Sequence, residues 1–152
     1  MASVNRVAVV TGGAQGLGYS IAERLASDGA KVVLVDINEA KLKAAQAKMA
    51  SPRVSYIAVD VTKADDISTA VEQIIAAHGR IDILVQAAGI VGTTGVKTHE
   101  VVESNFDLVI AINLKGIFLM CKAVLPHMVN QKYGRIVNIA SVAGLTIQGL
   151  LI

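Results

Sequence analysis

Four glycines fall within the eight residues Thr11-Gly12-Gly13-Ala14-Gln15-Gly16-Leu17-Gly18, and no other segment restricts the possible folds so strongly. An apolar run, 7–10, precedes them, and Leu17, Ile21 and Leu25 follow at four-residue spacing. That order reads as strand, turn and helix. Glycine reaches positive φ at no steric cost and lets the backbone come close to a ligand. The first turn of the helix adds unpaired N–H groups and the positive end of its dipole, which together suit a phosphate. A tight strand-to-helix turn would use one or two glycines; four in eight residues point to a pyrophosphate site. The pattern is T-G-x-x-x-G-x-G. It is not G-x-G-x-x-G, and it is not a P-loop, because no Gly-Lys-Ser/Thr follows.

The same alternation continues along the chain. A second strand, 31–35, follows the stop at Asp28-Gly29 and ends at Asp36. Asn38 is placed to cap a helix with Leu42, Ala45 and Met49 on one face, which Ser51-Pro52 ends. A third strand, 54–59, ends at Asp60. Thr62 and Asp65 have capping-box spacing ahead of a helix carrying Ile67, Val71, Ile74 and Ile75, closed by His78-Gly79. A fourth strand, 81–85, leads into Gln86-Ala87-Ala88-Gly89. A loop with Gly92 and Gly95 precedes a helical region from about 98 to 129, broken near 113–116, with His127 beside Pro126 ending a helix. Tyr133-Gly134 turns the chain into a fifth strand, 135–140, and Ser141-Val142-Ala143-Gly144 follows. Continuously apolar strands between amphipathic helices imply a parallel sheet covered on both faces. The expected architecture is a single α/β domain over 1–152. It is a Rossmann-like, doubly wound sheet of about five strands with right-handed crossovers and a ligand crevice at the carboxyl ends of the strands.

Composition narrows the function classes. Apolar residues at 53% and charged residues at 17% exclude a disordered chain. A net charge of +2, with aromatics at 3% and no Trp, argues against a nucleic-acid partner. The stretch 108–125 is apolar but holds Asn113, Lys115 and Lys122. A lysine at the bilayer centre costs about 2.5–3.5 kcal/mol, so the stretch reads as a buried helix and no membrane partner is expected. The N-terminus has no signal-peptide pattern. Cys121, the single cysteine, reads as core and fits a reducing compartment, so the cytoplasm is the expected location. His78, His99 and His127 are too far apart for a local motif, and no metal is expected. Lys41, Lys43 and Lys48 read as a solvated helix face.

Asp36 lies 18 residues after Gly18. An acid about 20 residues beyond such a loop bonds the ribose hydroxyls of NAD, and its charge repels the 2′-phosphate of NADP. No Arg or Lys lies in the loop to offset that repulsion, and Gln15 sits there instead. NAD is therefore the expected cofactor, with NADP disfavoured by Asp36. Taken alone, Asp36 could also be a solvated strand-end acid or a helix cap.

In this order, the segments resemble the classical short-chain dehydrogenase/reductase family over residues 7 to about 144. The resemblance implies a cofactor loop of Thr11, Gly12, Gln15, Gly16, Leu17 and Gly18, with Asp36 and Ile37 also bordering the cofactor. Asp60-Val61 matches the family's adenine-contacting pair. Gln86-Ala87-Ala88-Gly89 is similar to its Asn-Asn-Ala-Gly or Asn-Ala-Ala-Gly segment, which supports the sheet and borders the cofactor; here Gln replaces the first Asn. Asn113, in Ile112-Asn113-Leu114-Lys115-Gly116, matches the active-site Asn, whose backbone carbonyl holds a water in a proton relay. By itself it could equally mark a helix kink. Ser141, in Asn138-Ile139-Ala140-Ser141, matches the catalytic Ser, whose hydroxyl bonds the substrate carbonyl or alcohol oxygen. By itself it is a strand-end serine of the kind turns use.

The family's proton donor and acceptor is a Tyr with a Lys four residues on, on one helix face, where the Lys charge lowers the Tyr pKa. In this sequence Tyr19, Tyr56 and Tyr133 are followed at that distance by Glu23, Asp60 and Val137, and the tail 145–152 does not resemble the family. The chain therefore reads as the N-terminal part of a family domain whose C-terminal part is missing, leaving the fifth strand an uncovered edge suited to self-association. The expected function is NAD(P)-dependent hydride transfer between a nicotinamide cofactor and a small-molecule alcohol or carbonyl substrate, with this chain inactive alone. The alternatives are a non-catalytic dinucleotide-binding or interaction module, and a truncated or spliced product with marginal folding.

Overall fold

Runs rich in Val and Ile make the strands, where stiff β-branched side chains fit the pleat. In the computed structural model, which describes residues 5–141, five such runs form one parallel sheet. They are β1 (Val7–Thr11), β2 (Lys31–Asp36), β3 (Val54–Ala58), β4 (Ile83–Gln86) and β5 (Arg135–Asn138). Their order in space is β3-β2-β1-β4-β5, and Val9 lies opposite both Val33 and Leu84. The direction of winding reverses between β1 and β4, which opens a crevice at their carboxyl ends. The fold is the expected Rossmann-like, doubly wound parallel sheet. Val142, Ala143, Gly144 and the tail 145–152 lie outside the described residues.

The helices are α1 (Gly16–Ser27), α2 (Glu39–Met49), α3 (Ala64–His78), α4 (Glu103–Ile110) and α5 (Ile117–Asn130), with a 3₁₀ turn at Thr98–Glu100. Side chains of β1 alternate between the two faces, as the period of two requires. Ala8 and Val10 meet Ala22 of α1 and Leu42 and Ala45 of α2. Val7 and Val9 meet Ile67, Val71 and Ile74 of α3 and Met120, Val124 and Met128 of α5. Each fully buried Leu or Ile contributes about 1.5–3 kcal/mol, so both layers are strongly fastened.

Several local expectations are corrected. The expected strand 81–85 begins at Ile83, because the Asp82 carboxylate turns to accept from the Val7 N–H. The strand expected over 135–140 ends at Asn138, opposite the last residue of β4, Gln86. Asn38 does cap α2, its Oδ1 accepting from the Lys41 N–H at 2.9 Å. The capping box of Thr62 and Asp65 does not form, and Lys63 stands at the N-cap without a side-chain cap. The Thr62 N–H and hydroxyl instead donate to Asp60 Oδ1 at 3.0 and 2.7 Å, because a nearby carboxylate is the stronger acceptor.

The helical region opens at Thr98 as a 3₁₀ turn and is continuous only from Glu103, and its expected break is a π-helical segment, Ala111–Gly116, inside that continuous stretch. Pro126 sits within α5 and His127 does not end it. The hydrogen bond that proline removes belongs to the Lys122 carbonyl on the exposed side, where water can take it. The stretch Glu103–Asn130 is long and apolar enough to cross a membrane by length and composition alone. The expected buried helix is corrected: only 17% of its most apolar window is buried. Met120, Val124 and Met128 face the sheet, while Phe106, Leu114, Phe118 and Val129 are exposed. Cys121 is likewise half-buried, not core.

At the amino ends of the strands, Asp82 is wholly buried and fully engaged. It accepts from the Val7 N–H at 2.9 Å, from Arg80 at 2.6 and 2.8 Å, and from Arg6 at 3.3 Å. Arg6 and Arg135 stand over the Tyr133 ring at 3.8 and 5.0 Å. Burial pushes the Asp82 carboxyl up, but the Arg80 hydrogen bonds, the Val7 N–H and the arginine charges hold it below its ordinary 3.8. Both states are ionised above that value, so its stabilisation is complete there. It fades as pH falls through 3.8, where the unfolded chain takes up the proton first. Asp82→Asn is expected to lower urea stability by about 2 kcal/mol at neutral pH. The deficit against wild type should shrink below pH 3.8; a deficit independent of pH would contradict this account.

Candidate cofactor site

The loop after β1 is built by backbone contacts that admit no side chain. Gly12 has φ +65°, and a Cβ there would lie 2.7 Å from the Ala87 carbonyl carbon and oxygen. A Cβ on Gly18 would collide with the Gly12 carbonyl, and one on Gly13 would come within 2.9 Å of the Val10 oxygen. Gly16 differs: its φ is +57°, but the space around it is open. The glycines thus let the loop fold between β4 and the start of α1. Gln15 is the N-cap of α1 but its side chain caps nothing, and the first turn carries no acid. The first N–H groups of α1 therefore have no side-chain acceptor of their own, the arrangement that suits an anion.

Above the loop lies a cleft of about 500 Å³ at the carboxyl ends of the strands, within the range of small-molecule sites, roughly 300–1,000 Å³. Of the residues singled out in the sequence, it brings together Gly12, Gln15, Gly16, Leu17, Gly18, Asp36, Ile37, Val61, Ala87, Ala88 and Gly89. Leu17 and Ile37 leave their apolar side chains largely in solvent, at 68% and 70% exposure. Asp36 ends β2, and its Oδ1 accepts from the Asn38 N–H at 3.1 Å. A cradle of glycine backbone, a bare helix start and an acid at the next strand end fit a dinucleotide.

The other candidates border this cleft without lining it. Thr11 is buried, and its Oγ1 accepts from the Ala88 N–H at 3.2 Å, tying β1 to the segment after β4. Asp60 is turned toward Thr62, whose hydroxyl bond holds its carboxyl below the usual range even though burial opposes this. Gln86 is buried and points to α5: its Nε2 donates to Ile117 O, Cys121 Sγ and Asn138 Oδ1 at 3.2, 3.2 and 3.1 Å. Asn113, in the π-helical segment, clamps Ile90 by accepting from its N–H at 2.9 Å and donating to its carbonyl at 2.8 Å. Ser141 is exposed just beyond β5.

Asn38, Lys41, Val59, Ile90 and Ile112 also line the cleft. Lys41 is exposed, as the reading of a solvated helix face has it, and its Nζ donates to Gln15 Oε1 at 2.9 Å beside the cleft. Its signal was position, because α2 begins three residues after Asp36 and its first turn must lie beside that strand end.

No described tyrosine replaces the absent Tyr-Lys pair. Tyr133 lies between two arginines at the opposite edge of the sheet. Burial and the Glu23 hydrogen bond raise the Tyr19 pKa, the wrong direction for a base. Among the described residues, no three His, Cys, Asp or Glu side chains gather as a metal site.

Residues 6–150 match the short chain dehydrogenase family. The chain is 44% identical over 139 residues to the 2-dehydro-3-deoxy-L-rhamnonate dehydrogenase (NAD(+)) of Sphingomonas sp. (strain SKA58), covering 91% of this chain and 55% of that protein. An NAD+-bound xylitol dehydrogenase superposes with a TM-score of 0.93 at 31% identity, over 99% of this chain and 58% of the other. A metagenomic short-chain oxidoreductase in complex with NADP gives 0.88 at 37% identity, over 96% and 66%. The chain thus spans a little over half the length of the first two.

The two positive-φ glycines of the loop make a controlled pair. Gly16→Ala, in open space, is expected to cost about 1–2 kcal/mol of backbone strain. Gly12→Ala adds overpacking against Ala87, about 1–3 kcal/mol more. Urea unfolding should rank Gly12→Ala clearly below Gly16→Ala; equal midpoints would contradict the close backbone contact.

Proposed function

The chain belongs to the short-chain dehydrogenase family, and from that membership we propose that it binds NAD in the cleft over the glycine loop as part of an oxidoreductase acting on a small alcohol or carbonyl compound. The observation that carries this reading is the glycine cradle, closed to a side chain at Gly12, Gly13 and Gly18, under a helix start with no cap of its own. When bound, the dinucleotide supplies the hydride acceptor or donor.

The chain's own residues do the rest. The α1 N–H groups and the backbone from Gly12 to Gly18 hold the pyrophosphate. The free oxygen of Asp36 accepts from a ribose hydroxyl, which favours NAD over NADP. Leu17, Ile37 and Val61 present apolar surface to the adenine. Thr11 and Asn113 act through the backbone: each fixes part of the wall from Ala88 to Ile90. Ser141 holds the substrate oxygen. Residues 1–152 act as one dinucleotide-binding unit of the cytoplasm, and the apolar side chains exposed on α4 and α5 suit self-association.

A second reading, a non-catalytic dinucleotide-binding module, is favoured by one observation: no Tyr-x-x-x-Lys occurs in the sequence. Hydride transfer from an alcohol needs a group to take the hydroxyl proton, which is the part that pair plays in the family. The 152-residue chain is therefore proposed to bind the cofactor without turning substrate over. Calorimetry should show NAD binding, weakened about tenfold in Asp36→Ala, a loss of about 1.4 kcal/mol. NADH formation by the pure chain, abolished in Ser141→Ala, would overturn the proposed inactivity.

A further inference from the structure

The mouth of the cleft carries one anion and one cation, Asp36 and Lys41, and among the described residues no other charged residue lines it. Lys41 is the third residue of α2, where a positive charge faces the positive end of the helix dipole. Helix stability does not explain it there, and Asn38 already caps its backbone N–H. Its side chain instead reaches Gln15 Oε1, 26 positions back in the chain, at 2.9 Å. Gln15 is neutral, and among the described residues no carboxylate lies within ion-pair distance of the Lys41 ammonium. The ammonium is exposed to solvent and engaged by no carboxylate, so it is free to turn to an anion at the side of the cleft where Asp36 ends β2.

Resting on the dinucleotide reading above, we propose that Lys41 sets how far this cleft discriminates against a 2′-phosphorylated dinucleotide. A 2′-phosphate brings about two negative charges at neutral pH to a site that already holds Asp36. Without Lys41 the only charge lining the cleft would repel it. With Lys41, one swing of a flexible side chain from the Gln15 amide to the phosphate exchanges a neutral partner for a charged one. Asp36 keeps NAD the preferred ligand, and Lys41 keeps NADP within reach.

The test is calorimetry of the 152-residue chain with NAD and with NADP, in wild type, Lys41→Ala and Lys41→Arg. The expected result is that wild type binds both, and that Lys41→Ala raises the ratio of Kd for NADP to Kd for NAD about tenfold, equal to about 1.4 kcal/mol. Lys41→Arg, which keeps the charge, should hold that ratio near the wild-type value. An unchanged ratio in Lys41→Ala, or wild type that binds NAD but not NADP, would overturn the proposal and leave the dinucleotide site standing. Wild type that binds neither ligand would overturn the dinucleotide reading, and this proposal with it.

Discussion

The contact between the Gly12 α-carbon and the Ala87–Ala88 backbone is the constraint from which the site follows. It is backbone against backbone, so any side chain at position 12 would separate the loop from β4. Thr11 reinforces it, accepting from the Ala88 N–H through its hydroxyl while its carbonyl accepts from the Ala87 N–H. The same closeness recurs one turn on, where Gly18 lies against the Gly12 carbonyl. Together these contacts place the bare start of α1 over the crevice, and the crevice exists because winding reverses between β1 and β4.

The two ends of the sheet divide the work. At the amino ends, the buried Asp82 carboxylate accepts from the Val7 N–H and from the partly exposed Arg6 and Arg80. At the carboxyl ends, the helix start is uncapped and Leu17 and Ile37 stay in solvent. Water can satisfy these exposed groups, so this end of the sheet stays open to a ligand where the other end is closed by its own contacts. Asn113 links the second end to the long helix through both backbone groups of Ile90, and the wide π-helical turn carries it there. Gly116 lets that helix lie against Val61, with a would-be Cβ only 3.1 Å from it. The wall of the cleft is therefore set by the π-helical segment Ala111–Gly116, through Ile112 and Asn113, as well as by the sheet.

Much of this was legible from periodicity and punctuation. The five apolar runs and the helical stripes between them prescribe a parallel sheet covered on both faces, and Asn38 caps where its position implies. Signals that depend on competition were misread. Thr62 serves Asp60 instead of α3, because a carboxylate two residues away outcompetes a distant cap. Strand 81–85 starts late because Asp82 is drawn to Val7 and the arginines. Lys41 resembled any surface lysine, because spacing along a helix does not reveal what a side chain meets across a cleft. Gln86 likewise gave no sign that its longer amide would reach Cys121 and Asn138.

By itself the sequence determined the parallel, doubly wound sheet and the place of the glycine loop, because side-chain period, β-branching and the freedom of glycine act locally. It also determined that no Tyr-x-x-x-Lys pair is present. Only the tertiary structure decided which side of the long helix stays exposed, which acids are already engaged, and that Lys41 shares the cleft with Asp36. Those outcomes depend on contacts between residues far apart in the chain, and such contacts exist only once the layers have packed.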